Sequence, residues 1–153
     1  MTDRIERTLE LKAPLERVWR ALIDPEEFCQ WFSVKLEGPF TVGEETVGRV
    51  LYPGFEHVDW RCRTVAIEPM RRFAFTWHPF AHDPDVDYSQ EPPTLVEFRL
   101  EPITGGVRLQ LTESGFDALP PGRREQAFPP NERGWTLQLD NIRAHVEGAD
   151  VEG

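Results

Sequence analysis

The chain has 153 residues, of which 39% are apolar, 11% aromatic and 29% charged, a profile that suits a globular protein with enough apolar mass for a real core. Lys and Arg number 17 against 27 Asp and Glu, a net charge of −10, and the arginines fall in separated pairs (Arg61 with Arg63, Arg71 with Arg72, Arg123 with Arg124). Such a surface disfavours nucleic acid and anionic membrane as partners, because neither would meet a basic face.

No apolar run approaches a membrane span, and Met1-Thr2-Asp3-Arg4 does not read as a secretory signal. The expectation is one cytoplasmic domain over residues 1–153, without a linker or internal repeat. Two cysteines, Cys29 and Cys62, are too few for a disulfide framework or a thiolate zinc site, and read as small core fillers.

In chain order, residues 4–11 alternate as a strand, with Ile5, Leu9 and Leu11 on one side and Arg7 interrupting it. Pro14 opens a short helix whose apolar face is Leu15, Val18, Trp19, Leu22 and Ile23. Asp24-Pro25-Glu26-Glu27 has the form of a cap, a proline at the first helical position and acids in the first turn, so a second short helix carries Phe28, Trp31 and Phe32. From Val34 the chain is extended and punctuated by Gly and Pro, with a strand near Val47 to Tyr52. Another runs from Trp60 to Glu68, with Val65 and Ile67 on one parity, and Phe73, Phe75 and Trp77 alternate in the next.

His78 to Pro93 has no sustained period and reads as a long loop. Thr94 to Glu101 and Val107 to Glu113 form a hairpin around Pro102-Ile103-Thr104-Gly105-Gly106. Val96, Phe98, Leu100, Val107, Leu109 and Leu111 share its inner face, and Glu97, Arg99, Arg108 and Gln110 point out. Residues 122–128 are given a helical turn that Pro129-Pro130 ends. The last helix is placed from Asn131, as cap, to about Val146, with Gly148 as its stop. Trp135, Leu139, Ile142 and Val146 make its stripe, which Leu137 and Ala144 are expected to widen.

Glu113 is the most informative single residue. Its parity aims it inward, where a carboxylate needs a partner and could orient a ligand or act as a general acid or base. A strand ending or bulging near Thr112 would instead leave it solvated. His57, Arg61 or Arg63 could reach the same end. Metal chemistry finds little support. Pro79 separates His78 from His82, and Asp83, Asp85 and Asp87 begin a calcium-like loop that has Tyr88 where glycine is needed and Thr94 in place of the final glutamate. Neither a Gly-x-Ser-x-Gly elbow nor a glycine-rich phosphate loop is present, so no cofactor is implied.

These elements, with Ala13-Pro14, Val18-Trp19, Trp31-Phe32, Ile67-Glu68-Pro69, Phe75-Thr76-Trp77, Glu113-Ser114-Gly115-Phe116-Asp117 and Gly134-Trp135 with Leu139, resemble the START-like helix-grip superfamily. Within it they resemble the branch related to the activator of the heat-shock-protein-90 ATPase. The resemblance implies an α+β helix-grip fold, a curved antiparallel sheet wrapped around a long C-terminal helix, with two short helices after the first strand. It also implies a pocket for a small hydrophobic molecule between sheet and helix.

Physically, a curved sheet meets a straight helix closely at some points and stands away at others. Phe75, Trp77, Phe98, Trp135 and Leu139 are the candidates to line the gap, with Trp60 and Phe55 at its mouth and Glu113 as polar handle. The same residues could equally interdigitate into a dry core. A cyclase- or hydrolase-like enzyme using Glu113, a chaperone-cofactor-like interaction module, and assembly as a homodimer stay open beside the binding reading.

Overall fold

The computed structural model describes residues 4–79 and 87–152. Its elements are β1 (Arg4–Leu11), α1 (Leu15–Ile23), α2 (Pro25–Phe32), β2 (Val34–Leu36), β3 (Glu45–Val50), β4 (Asp59–Glu68), β5 (Arg72–Trp77), β6 (Thr94–Ile103), β7 (Gly106–Ser114) and α3 (Arg123–Glu152). Single 3-10 turns lie at Tyr88–Gln90 and Phe116–Ala118. The strands form one curved antiparallel sheet in the order β1-β7-β6-β5-β4-β3-β2. β1 and β2 are therefore opposite edges, and α1 and α2 carry the chain from one edge to the other. α3 packs on α2, α1 and β1. This is the α+β helix-grip architecture.

Local chemistry explains the short helices. Pro14 precedes α1, whose buried residues are Val18, Trp19, Ala21 and Leu22. The Asp24 carboxylate accepts from the Glu26 N–H at 2.9 Å and Pro25 takes a first-turn position, so α2 begins where its cap predicts. Ser33, at φ +63, ends it. The β6–β7 hairpin closes on Thr104 and Gly105, with Ile103 paired to Gly106 and the left-handed φ of +81° supplied by Gly105. Its outer face carries the expected pairs: Arg72 and Arg99 reach Glu97, and Arg108 reaches Glu101 and Glu10. Arg7, which breaks the apolar side of β1, reaches towards Glu132 of α3 at 3.9 Å.

Several expectations are corrected. α3 does not start at Asn131. It runs unbroken from Arg123 through Pro129 and Pro130, because its first turns are held by contacts elsewhere: Phe128 meets Phe116 edge-on at 4.9 Å, Ala127 is buried, and Arg123 is anchored at several points. Gly148 does not stop it either. A helical glycine costs only about 1 kcal/mol, and no proline follows to end the helix. Leu137 is 45% exposed and Ala144 is exposed as well. Each lies two positions from stripe residues, about 200° around the helix, and so faces away from the sheet. In β4, a bulge between Thr64 and Ala66 shifts the phase. Trp60, Cys62 and Thr64 point inward, Val65 is exposed, and Ile67 packs back against the core. β3 begins and ends two residues earlier than placed. Cys62 is buried, which pushes its thiol up to about 12 with help from the Glu45 charge, as suits an inert core filler.

The end of α3 is fastened to the short helices through Glu27. Its carboxylate takes Arg17, Arg20 and His145, while Arg17 also donates to the His145 carbonyl at 3.0 Å. Burial pushes the Glu27 carboxyl up, but the hydrogen bonds from His145, Arg20 and Arg17 outweigh it and hold the group below its ordinary 4.5. A carboxylate depressed in the folded state stabilises above its unfolded value, and that contribution is lost as pH falls through the folded one. Urea midpoints of wild type and Glu27→Gln should therefore differ at neutral pH, wild type being higher, and converge as the pH drops below 4.5. The helix phase has its own check. Ile142→Ala should cost about 2–5 kcal/mol in urea unfolding, whereas Leu137→Glu should stay within about 0.5 kcal/mol.

Candidate functional site

The alternation of β7 carries Glu113 inward with Val107, Leu109 and Leu111, and the strand continues to Ser114, so the carboxylate is 0% exposed. Gly115, at φ +102°, then turns the chain away. Strand register sets Val96 opposite Glu113 and Thr94 opposite Trp77. On α3, Asn131 and Trp135 are four apart and share the face above. Four side chains donate to the carboxylate. Trp135 Nε1 and Asn131 Nδ2 reach Oε1 at 2.8 and 3.0 Å, and Trp77 Nε1, Thr94 Oγ1 and Asn131 Nδ2 reach Oε2 at 2.7, 2.6 and 3.2 Å.

All four donors are neutral, and among the described residues no Lys, Arg or His pairs with Glu113. Two carboxylate oxygens offer about four acceptor positions, and these are filled. The strand does not end or bulge at Thr112, so the solvated alternative is excluded. His57, Arg61 and Arg63 do not approach. All three are exposed, Arg61 lies against Glu45 and Asp59, and Arg63 donates to the Gly43 carbonyl. Alternation along β4 puts both arginines on the face opposite Trp60 and Cys62.

Around the carboxylate the rings of sheet and helix meet. Trp77 stacks on Trp135 at 5.6 Å, Phe98 and Phe32 meet Trp135 edge-on at 5.8 and 6.0 Å, and Trp60 lies 5.7 Å from Phe32 and 6.0 Å from Trp77. Exposure is graded along this seam. Phe75 and Phe98 are wholly buried, Trp135, Trp60, Leu139 and Phe32 keep 3–7%, and Trp77 is half-buried. Phe55 lies in the loop before β4, exposed and 6.3 Å from Tyr52. The Trp60 Nε1 atom is buried and has no hydrogen-bond partner.

Sequence reasoning missed three participants. Thr94 shares the inward parity of Val96 and Phe98, and Asn131 precedes Trp135 by one turn, so both were readable once the elements were phased correctly. Phe32 reads in the sequence only as a member of the second short helix, and the tertiary fold brings it to Trp135. The loop after β5 is held where it matters. Arg123 binds Glu91 at 2.9 Å, donates to the Pro79 carbonyl at 2.7 Å and lies over the Tyr88 ring at 4.7 Å, tying both described ends of that loop to the first turn of α3. Outside the seam, a groove of 520 Å³ between α2, β2 and the β3–β4 loop is lined by Cys29, Ser33, Lys35, Leu51, Tyr52 and Pro53, among others. Among the described residues no three His, Cys, Asp or Glu side chains converge as metal ligands, and His82, Asp83 and Asp85 lie outside those residues.

A sheet gripping a terminal helix through an aromatic seam defines the helix-grip class. The sequence profile of the family described as activator of Hsp90 ATPase homolog 1-like protein matches residues 12–147, and the chain belongs to that family. Among solved structures it is similar to protein MLL2253 from Mesorhizobium loti (23% identity, TM-score 0.74, covering 94% of this chain and 96% of that one). Protein CV1439 from Chromobacterium violaceum is also similar (23%, TM-score 0.70, 96% and 99%). A third is the Aha1 dimer from Colwellia psychrerythraea, solved in solution (16%, TM-score 0.70, 96% and 97%). At these identities the likeness speaks to the fold. No curated protein sequence matches the chain.

Glu113→Gln would turn an amide N–H towards donors that need an acceptor. It should lower unfolding free energy by about 3 kcal/mol in urea titration, with a change in tryptophan fluorescence as either Trp77 or Trp135 loses its acceptor oxygen.

Proposed function

We propose that the protein binds a small hydrophobic molecule at the end of the grip where Phe32, Trp60, Trp77, Trp135 and Leu139 meet. The observation that carries this is the gradient of exposure along the seam. Rings from both walls meet there: Phe75 and Phe98 are wholly buried, Phe32, Trp60 and Trp135 keep 3–7% exposure, and Trp77 is half-buried. Clustered aromatic side chains with a few convergent polar groups suit a ligand seat. Phe55, exposed in the loop that leads to Trp60, adds an apolar flank. Glu113 serves here by fixing the orientation of Trp77 and Trp135. Its full burial and occupied oxygens favour that anchoring part over the proton transfer a cyclase or hydrolase would need.

Titration with the neutral fluorescent probe 1-N-phenylnaphthylamine should give a saturable signal with one molecule per chain, together with quenching of tryptophan emission. A linear, unsaturable response would overturn the reading. Native mass spectrometry of freshly purified protein should show a co-purified small molecule released by organic solvent.

A second reading, an interaction module that includes self-association, is favoured by Leu51, Tyr52 and Phe55, which are 50%, 49% and 39% exposed beside the surface groove. The dimer described for the Colwellia relative is consistent with it. Light scattering should then show a dimer that the double variant Leu51→Ser, Phe55→Ser reduces to monomer; a monomeric wild type at high concentration would exclude self-association through this patch.

A further inference from the structure

The indole nitrogens divide unequally. Trp31 donates to the Ala21 carbonyl at 2.8 Å, and Trp77 and Trp135 donate to Glu113. Trp60 Nε1 is buried without any acceptor, although the residue as a whole keeps 6% exposure. An unmet buried donor is destabilising, and neighbouring ring faces offer a weaker acceptor than an oxygen. Phenylalanine would fill most of the same space without that penalty. Trp60 packs among Phe28, Phe32, Phe75 and Trp77, at ring distances of 5.7, 5.7, 6.0 and 6.0 Å.

We propose that the seat selects neutral apolar molecules carrying an oxygen acceptor, a ketone, ester or lactone, whose oxygen takes the Trp60 Nε1–H. This rests on the reading of the seam as a ligand seat. The charge environment fixes the word neutral. Glu113 lies one ring away, linked through Trp77, and no cation among the described residues offsets it. In a water-poor seam its field repels an anionic headgroup. An ammonium is drawn by the same field but has no lone pair to accept the indole N–H, so it leaves the donor unmet. Hydrocarbons fit the rings but leave the donor unmet.

The test uses four probes of one shape: 2-acetylnaphthalene, its hydrocarbon match 2-isopropenylnaphthalene, 2-naphthoate and 2-naphthylmethylammonium, titrated calorimetrically into the full chain. The ketone should bind about tenfold more tightly than the hydrocarbon, the gain of one hydrogen bond to a buried donor, and more tightly than either ion. In Trp60→Phe the ketone-to-hydrocarbon affinity ratio should fall to about one, whatever the change in absolute affinity of either probe. In wild type, the indole 15N–1H signal that Trp60→Phe removes should move downfield with the ketone and not with the hydrocarbon.

Equal affinity for ketone and hydrocarbon, a preference that survives Trp60→Phe, or tightest binding of either ion would overturn the proposal while leaving hydrophobic binding intact. Absence of binding by all four would remove the seat itself, and this inference with it. If Trp60→Phe does not fold, the wild-type ketone-to-hydrocarbon ratio decides alone, and equality there overturns the proposal.

Discussion

One carboxylate holds the two halves of this fold in register. Apolar burial drives sheet and helix together, but it is non-directional and would tolerate some sliding of α3 along its hollow. Glu113 removes that freedom, because Trp77, Thr94, Asn131 and Trp135 can all reach it in one relative placement. The cost of burying a charge makes the arrangement demanding: each lost donor leaves an under-solvated carboxylate in a dry seam. The same bonds orient two of the rings that form the proposed seat, so the polar network that fixes the fold also shapes the surface a ligand would meet.

Other polar fastenings are spaced along α3. Arg123 holds its first turn to Pro79 and Glu91, and Gln138 donates to the Phe32 carbonyl at mid-helix. Glu27 takes His145, and the Lys12 N–H donates to Glu147 near the other end. Between them runs the apolar stripe of Trp135, Leu139, Ile142 and Val146. The helix is therefore tied at intervals rather than gripped by apolar contact alone, which is how it continues unbroken through two adjacent prolines. Its conformation there answers to tertiary anchors more than to local propensity.

Assigning Glu113 to architecture changes what remains for recognition. Among the described residues, the buried polar atoms that lack a hydrogen-bond partner include the indole nitrogen of Trp60 and the hydroxyl of Thr64, both on the inward face of β4. The catalytic reading drew its force from a buried carboxylate with no visible partner. The fold supplies those partners from three elements that are far apart in the chain.

The sequence by itself determined everything that depends on neighbours in the chain. Alternation set the inward faces of β1, β5, β6 and β7. Asp24-Pro25 set the start of α2, and steps of four, three and four set the buried stripe of α3. The inward aim of Glu113 belongs with these, because parity is a local property. The tertiary structure alone decided what depends on residues distant in the chain: the continuation of α3 back to Arg123, the bulge that turns Ile67 back to the core, the four donors gathered on Glu113, and the missing acceptor at Trp60. Periodicity says which way a side chain points, but whether a proline is tolerated or a donor is satisfied is settled by atoms that only folding brings within 3 or 4 Å, on the order of one hydrogen bond or one packing contact.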